Sequence, residues 1–426
     1  MRFMRRIILR FVMIFIILNI SCFLYAEKKV YEARRINFEL LKLDGKLDES
    51  TWQDKNWGSD FTQWEPRNGE PASSDTKFII GYDDENLYFA ICALENEPNK
   101  FIKRKTRRDE LDGDLIEIQL DSYNDQKTAF VLQVNAAGSK GDGIISEDSK
   151  ETDLSWDPVW DVATSVNDHC WTMELKIPFK QLRFANRDEQ VWGLQVERLK
   201  YRKQEYSTWQ PVPKDNPGWV SSFGILRGIK KVNPSKRIEI TPYTASKLKT
   251  SSRNPENPFS NHAEKSLTGG IDGKVGITNN ISLDVTINPD FGQVEADPSV
   301  VNLSAFETFY PEKRPFFVEG SNIFDFSVLS KFRDNGDDEL LLFHARRIGR
   351  KPVYVPHTGL NEFFKIPENT SILAALKLSG KTGNGYSIGV LDAITDNEKT
   401  EFGNRYEKKF IRISFWCSPQ IPHDFP

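Results

Sequence analysis

Six carboxylates fall within one irregular stretch of the sequence, between Asn288 and Gly320, and four of them are candidates for catalysis. They are Asp290, Glu295, Glu312 and Glu319. Two carboxyl groups about 5 to 9.5 Å apart, one of them protonated, can hydrolyse a glycosidic bond. Asp290 and Glu295 are therefore the candidate catalytic residues. The alternative is that Lys313 and Arg314 simply neutralise the acids of this stretch.

Several tryptophans stand in polar, loop-like surroundings, and Trp64, Trp156 and Trp160 are the candidates for ligand binding. Recognition of a sugar needs flat aromatic faces, with planar hydrogen-bonding side chains around the rim. Trp156 and Trp160 form the best pair, because only Asp157-Pro158-Val159 separates them. A folded-in aromatic corner would explain the same pair without any ligand.

Arg108 and Asp109 are candidate rim groups for the same ligand. They precede the predicted strand 115–120 and would emerge at one end of a sheet. A solvated loop whose charges pair with one another is the alternative.

The elements that must position these residues are β-strands. Apolar residues alternate with polar ones in 78–82 and 87–93, on both sides of an Asp-Asp-Glu-Asn turn, and again in 116–121, 171–177 and 192–196. Half-buried strands without intervening helices indicate two sheets packed face to face. The sequence therefore predicts a β-sandwich over residues 35–230. Trp52 is expected in its core, and Asp44 is expected to organise a turn.

The sequence also predicts strands in the region 236–415. Residues 271–277 and 281–287 predict a hairpin with one apolar and one polar face, and 372–378 with 386–394 predict another. Each arm approaches the roughly 9 to 11 residues of a tilted membrane-spanning strand. This favours an incomplete antiparallel β-barrel in which the loop 288–340 folds into the lumen or over one mouth, because a charged irregular loop cannot face lipid. A soluble sheet with a surface loop is the alternative.

Composition sets bounds on partners and location. With 28% charged and 38% hydrophobic residues and a formal net charge of -4, the 426-residue chain predicts neither disorder nor nucleic-acid binding. Residues 1–26 combine arginines, an apolar run and a final alanine, which predicts a signal peptide and export. An uncleaved anchor is the alternative. The last residues, 416–426, abruptly lose the strand pattern and suggest a truncated or frameshifted end.

Four short runs in the first half resemble the family 9 carbohydrate-binding module. They are Leu43-Asp-Gly-Lys-Leu-Asp-Glu-Ser-Thr-Trp52, Tyr82-Asp-Asp-Glu-Asn-Leu-Tyr88, Asp157-Pro-Val-Trp160 and Glu174-Leu-Lys-Ile-Pro-Phe179. The resemblance implies a β-sandwich that binds sugars outside the cytoplasm in carbohydrate breakdown. Calcium is a possible cofactor, since such modules are similar to calcium-containing sandwiches and Asp83 and Asp84 offer hard oxygen ligands. A plain hairpin turn is the preferred interpretation of these two acids.

The second half resembles an uncharacterised domain that follows such modules in secreted proteins of Gram-negative bacteria. The matching runs are Asn288-Pro-Asp-Phe-Gly-Gln-Val-Glu295, Glu312-Lys-Arg-Pro-Phe-Phe317 and Arg346-Arg-Ile-Gly349. This resemblance implies an outer-membrane barrel. The main hypothesis is a carbohydrate-binding protein of the cell envelope, with a polysaccharide or oligosaccharide and the outer membrane as partners. The alternatives are an extracytoplasmic hydrolase of O-glycosyl bonds and an outer-membrane transport or assembly protein.

Overall fold

The structure, a computed structural model, describes residues 28–37, 41–53, 56–95, 101–167, 169–185, 187–232, 238–250, 252, 254–260, 262–278, 280–289, 312, 314–318, 320, 323–324, 343–351, 363–367, 369–382, 386–403 and 408–413. The helical pieces in these ranges are three or four residues long, and strands make up the rest of the regular structure. The prediction of an all-β chain is confirmed. No helix in the described ranges has the length and hydropathy needed to cross a bilayer.

The chain divides into two compact units. The first takes in the described residues of 1–154, 159–178 and 187–232, and the second those of 155–158, 179–186 and 233–426. The predicted signal peptide and the C-terminal tail, 416–426, lie outside the described residues.

The described residues of the first unit form fourteen strands. They are β1 Val30–Glu32, β2 Arg34–Arg35, β3 Thr62–Glu65, β4 Thr76–Tyr82, β5 Asn86–Leu94, β6 Leu115–Asp121, β7 Ala129–Asn135, β8 Lys140–Ile145, β9 Thr152–Asp153, β10 Asp161–Val166, β11 Cys170–Pro178, β12 Glu189–Lys200, β13 Glu205–Thr208 and β14 Gly224–Lys230. One sheet has the order β1-β14-β12-β6-β7-β8-β9, with β13 on β12 and β3 on β13; the other has the order β10-β11-β5-β4-β2. The first sheet thus includes β1, which precedes the predicted start at residue 35.

The main core of this unit lies between the two sheets. Tyr31 on β1 and Phe78 on β4 have ring centroids 5.0 Å apart, and the Tyr82 hydroxyl donates a hydrogen bond of 2.9 Å to the Gly228 carbonyl. The apolar residues predicted to alternate along β6 are all buried; they are Ile116, Ile118 and Leu120. The predicted β-sandwich is confirmed.

The other face of β5 is also buried, which the alternating pattern did not predict. Tyr88 and Ala90 are fully covered by Trp52 and by apolar residues of the segment 36–57. Because this segment is irregular, its apolar residues follow no period that would assign them to a sheet face.

The carboxylate of Glu174 on β11 fixes this covering segment. It accepts hydrogen bonds from the backbone N–H of Asp44 at 2.9 Å, from that of Gly45 at 2.8 Å and from the Trp52 indole at 2.8 Å. Burial raises the pKa of Glu174, and the three donors oppose that rise. Gly45 has a φ of 84°, and a Cβ there would lie 2.5 Å from the Thr164 carbonyl carbon. The Asp-Gly motif is therefore a structural device, and Trp52 is core, as predicted.

The second unit contains eight described strands and one short described α-helix. They are β15 Ile238–Thr250, β16 Ala263–Gly276, β17 Ile281–Ile287, α1 Pro315–Val318, β18 Phe363–Lys365, β19 Ile372–Lys381, β20 Ser387–Thr395, β21 Glu398–Gly403 and β22 Lys408–Ile413. An antiparallel sheet has the order β15-β16-β17-β19-β20, and a smaller one the order β18-β21-β22. Both predicted hairpins are present, as β16/β17 and β19/β20. Closure into a barrel stays a prediction.

One face of the five-stranded sheet is apolar and open. The register aligns its side chains in two apolar rows across the five strands, Ile238–Val275–Leu283–Leu378–Val390 and Pro242–Ile271–Ile287–Ala374–Ile394. The row between them ends in Asp392 on the edge strand β20 and includes Ile240, which is 67% exposed. We call these three rows the apolar face.

The opposite face carries polar and charged side chains, and it is covered on the strands β17 and β19. The register aligns Glu239, Lys274, Asp284 and Lys377 on four adjacent strands, so that acidic and basic residues alternate. Asp284 and Lys377 are 5% and 1% exposed, and Thr286 is fully buried. We call this the polar face.

The segment 312–318 covers part of the polar face. Lys377 Nζ lies 3.3 Å from Asp284 Oδ2 and also donates to the Phe316 carbonyl. Arg314 is buried, with its guanidinium bound to Glu312 and to the carbonyls of residues 345 and 348. The Glu-Lys-Arg-Pro-Phe-Phe motif thus packs onto this unit through Arg314, Phe316 and Phe317.

Candidate functional site

A row of acids and amides crosses three central strands of the first sheet, on the face away from the main core. The register pairs Glu117 on β6 with Glu197 on β12 and with Gln133 on β7. Gln133 Nε2 donates to Glu117 at 2.6 Å, and Gln119 Nε2 donates to Glu197 at 2.6 Å and also to Glu117. These residues share a face because side chains two apart on a strand point the same way.

Two tryptophans border this row. Trp64 on β3 is partly buried, and its ring centroid lies 5.6 Å from that of Trp219, with the planes at 75°. The Trp219 indole N–H donates to Gln119 Oε1 at 2.8 Å, which fixes the ring beside the row. Tyr206 on β13 lies at the same place, since β13 pairs with both β3 and β12.

The backbone around Trp219 is held by Asp148. The Trp219 N–H donates to the Asp148 carbonyl at 3.0 Å, and the Asp148 carboxylate accepts from the N–H and the hydroxyl of Ser221 at 2.8 and 2.7 Å. The same β8–β9 connection therefore fixes Trp219 and carries Lys150, two residues further on.

Lys150 occupies the centre of the cluster. Its Nζ lies 3.4 Å from the Trp64 ring centroid, 3.9 Å from that of Trp219 and 5.9 Å from that of Tyr206. The same atom is 3.4 Å from Glu197 Oε2. Lys214 Nζ lies 3.7 Å from the Trp64 centroid and 2.5 Å from Glu65 Oε1, at the rim. We call Trp64, Trp219, Tyr206, Lys150, Glu117 and Glu197, with the two glutamines, the tryptophan site.

Burial perturbs two ionisable groups of this site, Glu197 and Tyr206. Desolvation raises the pKa of Glu197 to about 7; Lys150 opposes this rise and the like charge of Glu117 adds to it. Burial, with Glu65, Glu197 and Glu117 nearby, also raises the pKa of Tyr206. A site of this kind offers aromatic faces, planar amides and carboxylates, and one flexible ammonium, which are the groups that bind a polar ring-shaped ligand.

The predicted ligand-binding residues are distributed over different places. Trp64 belongs to the tryptophan site. Trp160 is 2% exposed and its indole donates to Asp142 Oδ2 at 3.1 Å. Arg108 Nη2 binds both oxygens of the same Asp142 at 2.8 and 2.7 Å, and Asp109 Oδ1 accepts from the Asp142 N–H. Trp160, Arg108 and Asp109 therefore form a structural cluster around Asp142, and their role in ligand binding stays a prediction. Trp156 is buried and belongs to the second unit.

The remaining members of the tryptophan site were missed in the sequence. For its acids and one of its amides the signal was long polar side chains on the same face of separate strands, Glu117 and Gln119 on one strand and Glu197 on the other. Such positions usually read as a solvated face, and only the register shows that the two strands are neighbours.

The candidate catalytic residues, Asp290 and Glu295, lie outside the described residues. Glu312 is described, and both of its carboxylate oxygens accept hydrogen bonds from Arg314, at 2.8 and 2.7 Å. Neutralisation by arginine, the alternative foreseen for this stretch, therefore applies to Glu312.

The two candidate calcium ligands are engaged in a hairpin turn. Asp83 accepts hydrogen bonds from the N–H groups of Glu85 and Asn86 and from the Tyr88 hydroxyl, and Asp84 pairs with Arg35 at 2.5 Å. These contacts account for both carboxylates without a cation, so the hairpin interpretation fits better.

A different group of acids could hold a cation. Within the described ranges, oxygens of Asp44, Glu49 and Glu174 lie within 4.8 Å of one another. Carboxylate oxygens suit calcium. However, Glu174 already accepts three hydrogen bonds from the protein, which leaves it little capacity as a ligand.

Comparison with known families assigns a class to each half of the chain. Residues 43–226 match the family model described as carbohydrate family 9 binding domain-like, and residues 234–414 match the domain of unknown function DUF5916. The chain thus contains a family 9-like carbohydrate-binding domain followed by a DUF5916 domain, which confirms the resemblances at that level.

Two similar solved structures are of one protein, a family 9 carbohydrate-binding module from Caldicellulosiruptor kristjanssonii. The complex with cellotriose is 14% identical, covers 48% of this chain and 100% of that chain, and has a TM-score of 0.36. The complex with glucose is 15% identical, covers 49% and 97%, and has a TM-score of 0.35. No curated protein matches the chain.

Proposed function

We propose that the first unit binds carbohydrate at the tryptophan site. The observation that carries the proposal is the meeting of two tryptophan rings, 5.6 Å apart, with a cross-strand row of carboxylates and amides. Aromatic faces pack against the apolar face of a pyranose, and planar polar groups satisfy its hydroxyls. The family model matched by residues 43–226 supports the same function.

Titration calorimetry of the full-length protein with a panel of oligosaccharides tests this function. We expect Trp64→Ala and Trp219→Ala each to weaken binding by about tenfold or more, since a buried aromatic contact contributes on the order of 1 to 3 kcal/mol. Trp57→Ala is the matched control: Trp57 is also partly buried, but it packs on the opposite sheet beside Trp52. Equal losses in all three variants, or no binding of any oligosaccharide, would exclude the tryptophan site.

A second function is supported by the faces of the five-stranded sheet, and we propose that the second unit resides in the outer membrane of the cell envelope after export of the chain. Strands of 13 and 14 residues, β15 and β16, exceed the roughly 9 to 11 residues that cross a bilayer at a tilt. An apolar exposed face opposite a polar covered face is the arrangement of a membrane strand, with lipid on one side. In this proposal the chain holds polysaccharide or oligosaccharide at the membrane for catabolism or uptake.

Heat-modifiable migration and detergent-dependent solubility of the full-length protein test the membrane proposal. We expect the protein to remain aggregated in buffer and to give a compact, faster-migrating band only after folding in detergent or lipid. A monodisperse, folded protein in buffer without detergent would contradict it.

Hydrolysis of O-glycosyl bonds remains a proposal that depends on Asp290 and Glu295. Release of reducing sugar by the full-length protein, compared with its Asp290→Asn and Glu295→Gln variants, tests it. Release that both substitutions leave unchanged would exclude these two acids.

A further inference from the structure

The space between the two tryptophan rings holds the protein's own cation. Lys150 Nζ lies within 4 Å of both ring centroids, at 3.4 and 3.9 Å, with Tyr206 further out at 5.9 Å. Three aromatic rings around an ammonium form an aromatic cage, the arrangement by which proteins bind organic cations.

The charges around the cage favour a cation over any other occupant. Lys214 is paired with Glu65 at 2.5 Å, and Lys150 with Glu197 at 3.4 Å, which leaves Glu117 as an additional negative charge. Glu197 is buried, and Lys150 opposes the rise that burial causes in its pKa. A neutral ligand that displaced Lys150 would leave Glu197 without a counter-ion, and an anionic one would add repulsion.

Lys150 is nevertheless able to leave. Its side chain is 36% exposed, whereas that of Glu197 is 7% exposed, so the cage is open to solvent on the lysine side. A lysine has four flexible bonds in its stem and is strongly hydrated, so its ammonium can turn out into water when another cation takes its place.

We propose that the tryptophan site selects amino sugars, whose ammonium group replaces Lys150 Nζ between Trp64 and Trp219. This inference rests on the proposed carbohydrate function and names the chemical class of the ligand. The pyranose ring stacks on the partly exposed Trp64, and Glu197 keeps a cationic partner throughout the exchange.

Binding of three disaccharides of the same linkage to the full-length protein tests the inference. They are the disaccharide of glucosamine, its di-N-acetylated form, which is neutral, and cellobiose, which has hydroxyls instead. We expect the glucosamine disaccharide to bind at least about tenfold more tightly than the other two at a pH where its amines are charged.

Substitution of the lysine sharpens the test. Lys150→Met removes the competing charge but keeps a side chain of similar length. We therefore expect this variant to bind the glucosamine disaccharide about tenfold more tightly than the parent protein does, and to bind cellobiose more weakly than the glucosamine disaccharide. Lys214→Met, which removes the rim cation paired with Glu65, is the matched control and should change the preference less. Near-native tryptophan fluorescence and circular dichroism would show that both variants are folded.

Each outcome decides one of the two proposals. If cellobiose or the acetylated disaccharide binds as tightly as the amino sugar, in the parent protein and in Lys150→Met, the inference is overturned while carbohydrate binding stands. If no sugar binds either protein, the proposed function itself fails. A tenfold preference that Glu197→Gln abolishes would support the inference.

Discussion

Strand β6 in the first unit and strand β17 in the second alternate apolar and polar side chains with the same period, but the two sheets bury opposite faces. On β6 the isoleucines and leucine lie in a dry core, and Glu117 on the other face lies at the tryptophan site. On β17 the residues Ser282, Asp284 and Thr286 are buried, and Ile287 is 52% exposed. The period of two thus predicts that a strand forms, but it does not predict which face of the strand is buried.

The comparison also concerns how charge is buried. In the first unit one buried acid, Glu197, lies at an open site, where Lys150 and an amide balance it. In the second unit Lys377 pairs with Asp284 directly beneath Phe316, and Arg314 pairs with Glu312 among carbonyls. The first arrangement is accessible to a ligand, and the second is a packed internal network that fixes the segment 312–318 on the polar face.

The substitution with the largest expected effect tests whether water reaches the polar face. Lys377→Met removes one partner of a pair whose side chains are 1% and 6% exposed, so Asp284 would lose its buried cationic partner. We expect the second unit to lose about 3 to 5 kcal/mol of unfolding free energy, measured by denaturant titration in detergent. The double variant Lys377→Met, Asp284→Asn should recover most of the loss. A loss below about 1 kcal/mol would show that water fills this face and would weaken the contrast with the packed core of the first unit.

A charge on the apolar face tests what solvent it meets. Leu283→Arg puts a guanidinium in the middle of the row formed with Val275 and Leu378. In lipid this costs about 2 to 4 kcal/mol near the middle of the bilayer and about 0 to 1 near its surface. The control is therefore Ile277→Arg, just beyond the end of β16.

The measurement is the fraction of protein that folds into lipid vesicles, read from heat-modifiable migration, together with urea unfolding of the folded fraction. We expect a marked loss for Leu283→Arg only. Equal and negligible effects of both substitutions would mean that the apolar face meets water, as in an ordinary soluble sheet.

Much of this architecture follows from local pattern, and the parts that do not have identifiable reasons. Alternation was enough for the hairpins β4/β5, β16/β17 and β19/β20, because each joins neighbouring strands through a short turn. Burial of the outer face of β5 was not predictable, since the irregular segment 36–57 covers it.

The candidate site was less accessible to prediction than the strands. Trp64 was identified from its type and surroundings, but Trp219 and Lys150 come from connections that are distant in sequence and are joined by Asp148. Sequence spacing favoured Trp156 and Trp160, whereas in the structure both are buried and belong to different units. Proximity along the chain does not place two residues on one surface.

The next prediction concerns how the stability of the first unit depends on pH through its buried acids. The folded-state pKa of Glu197, about 7, lies above its ordinary value of 4.5, so between these values the folded state binds more protons than the unfolded state. Protonated Glu197 therefore adds to the free energy of unfolding below about pH 4.5. This contribution, on the order of 1 to 3 kcal/mol, is lost as the pH rises through 7. Asp121, with a pKa raised to about 6 by burial, adds a loss of the same sign.

Glu197→Gln isolates one part of this dependence. Thermal unfolding followed by tryptophan fluorescence from pH 4.5 to 8 should show a smaller decline in the variant than in the parent, with the Asp121 part retained. An identical decline in the two proteins would show that Lys150 keeps Glu197 ionised throughout the range, and that the tryptophan site is no more costly to charge than a solvated surface.

The smallest expected effect tests how the backbone holds Trp219. A Cβ on Gly218 would lie 2.1 Å from Asp148 Oδ2 and 2.3 Å from Ser221 Oγ, so alanine must displace the carboxylate that binds Ser221. We expect Gly218→Ala to cost about 1 kcal/mol of stability, the typical value of one disturbed hydrogen bond, and to weaken sugar binding because the Trp219 ring shifts from Gln119. Gly69→Ala, with no atom within 4 Å of its Cβ and a φ of 84°, is the control for backbone strain alone. If Gly69→Ala weakens binding as much as Gly218→Ala, the effect comes from general destabilisation; if only Gly218→Ala does, the Asp148 contact positions the ring.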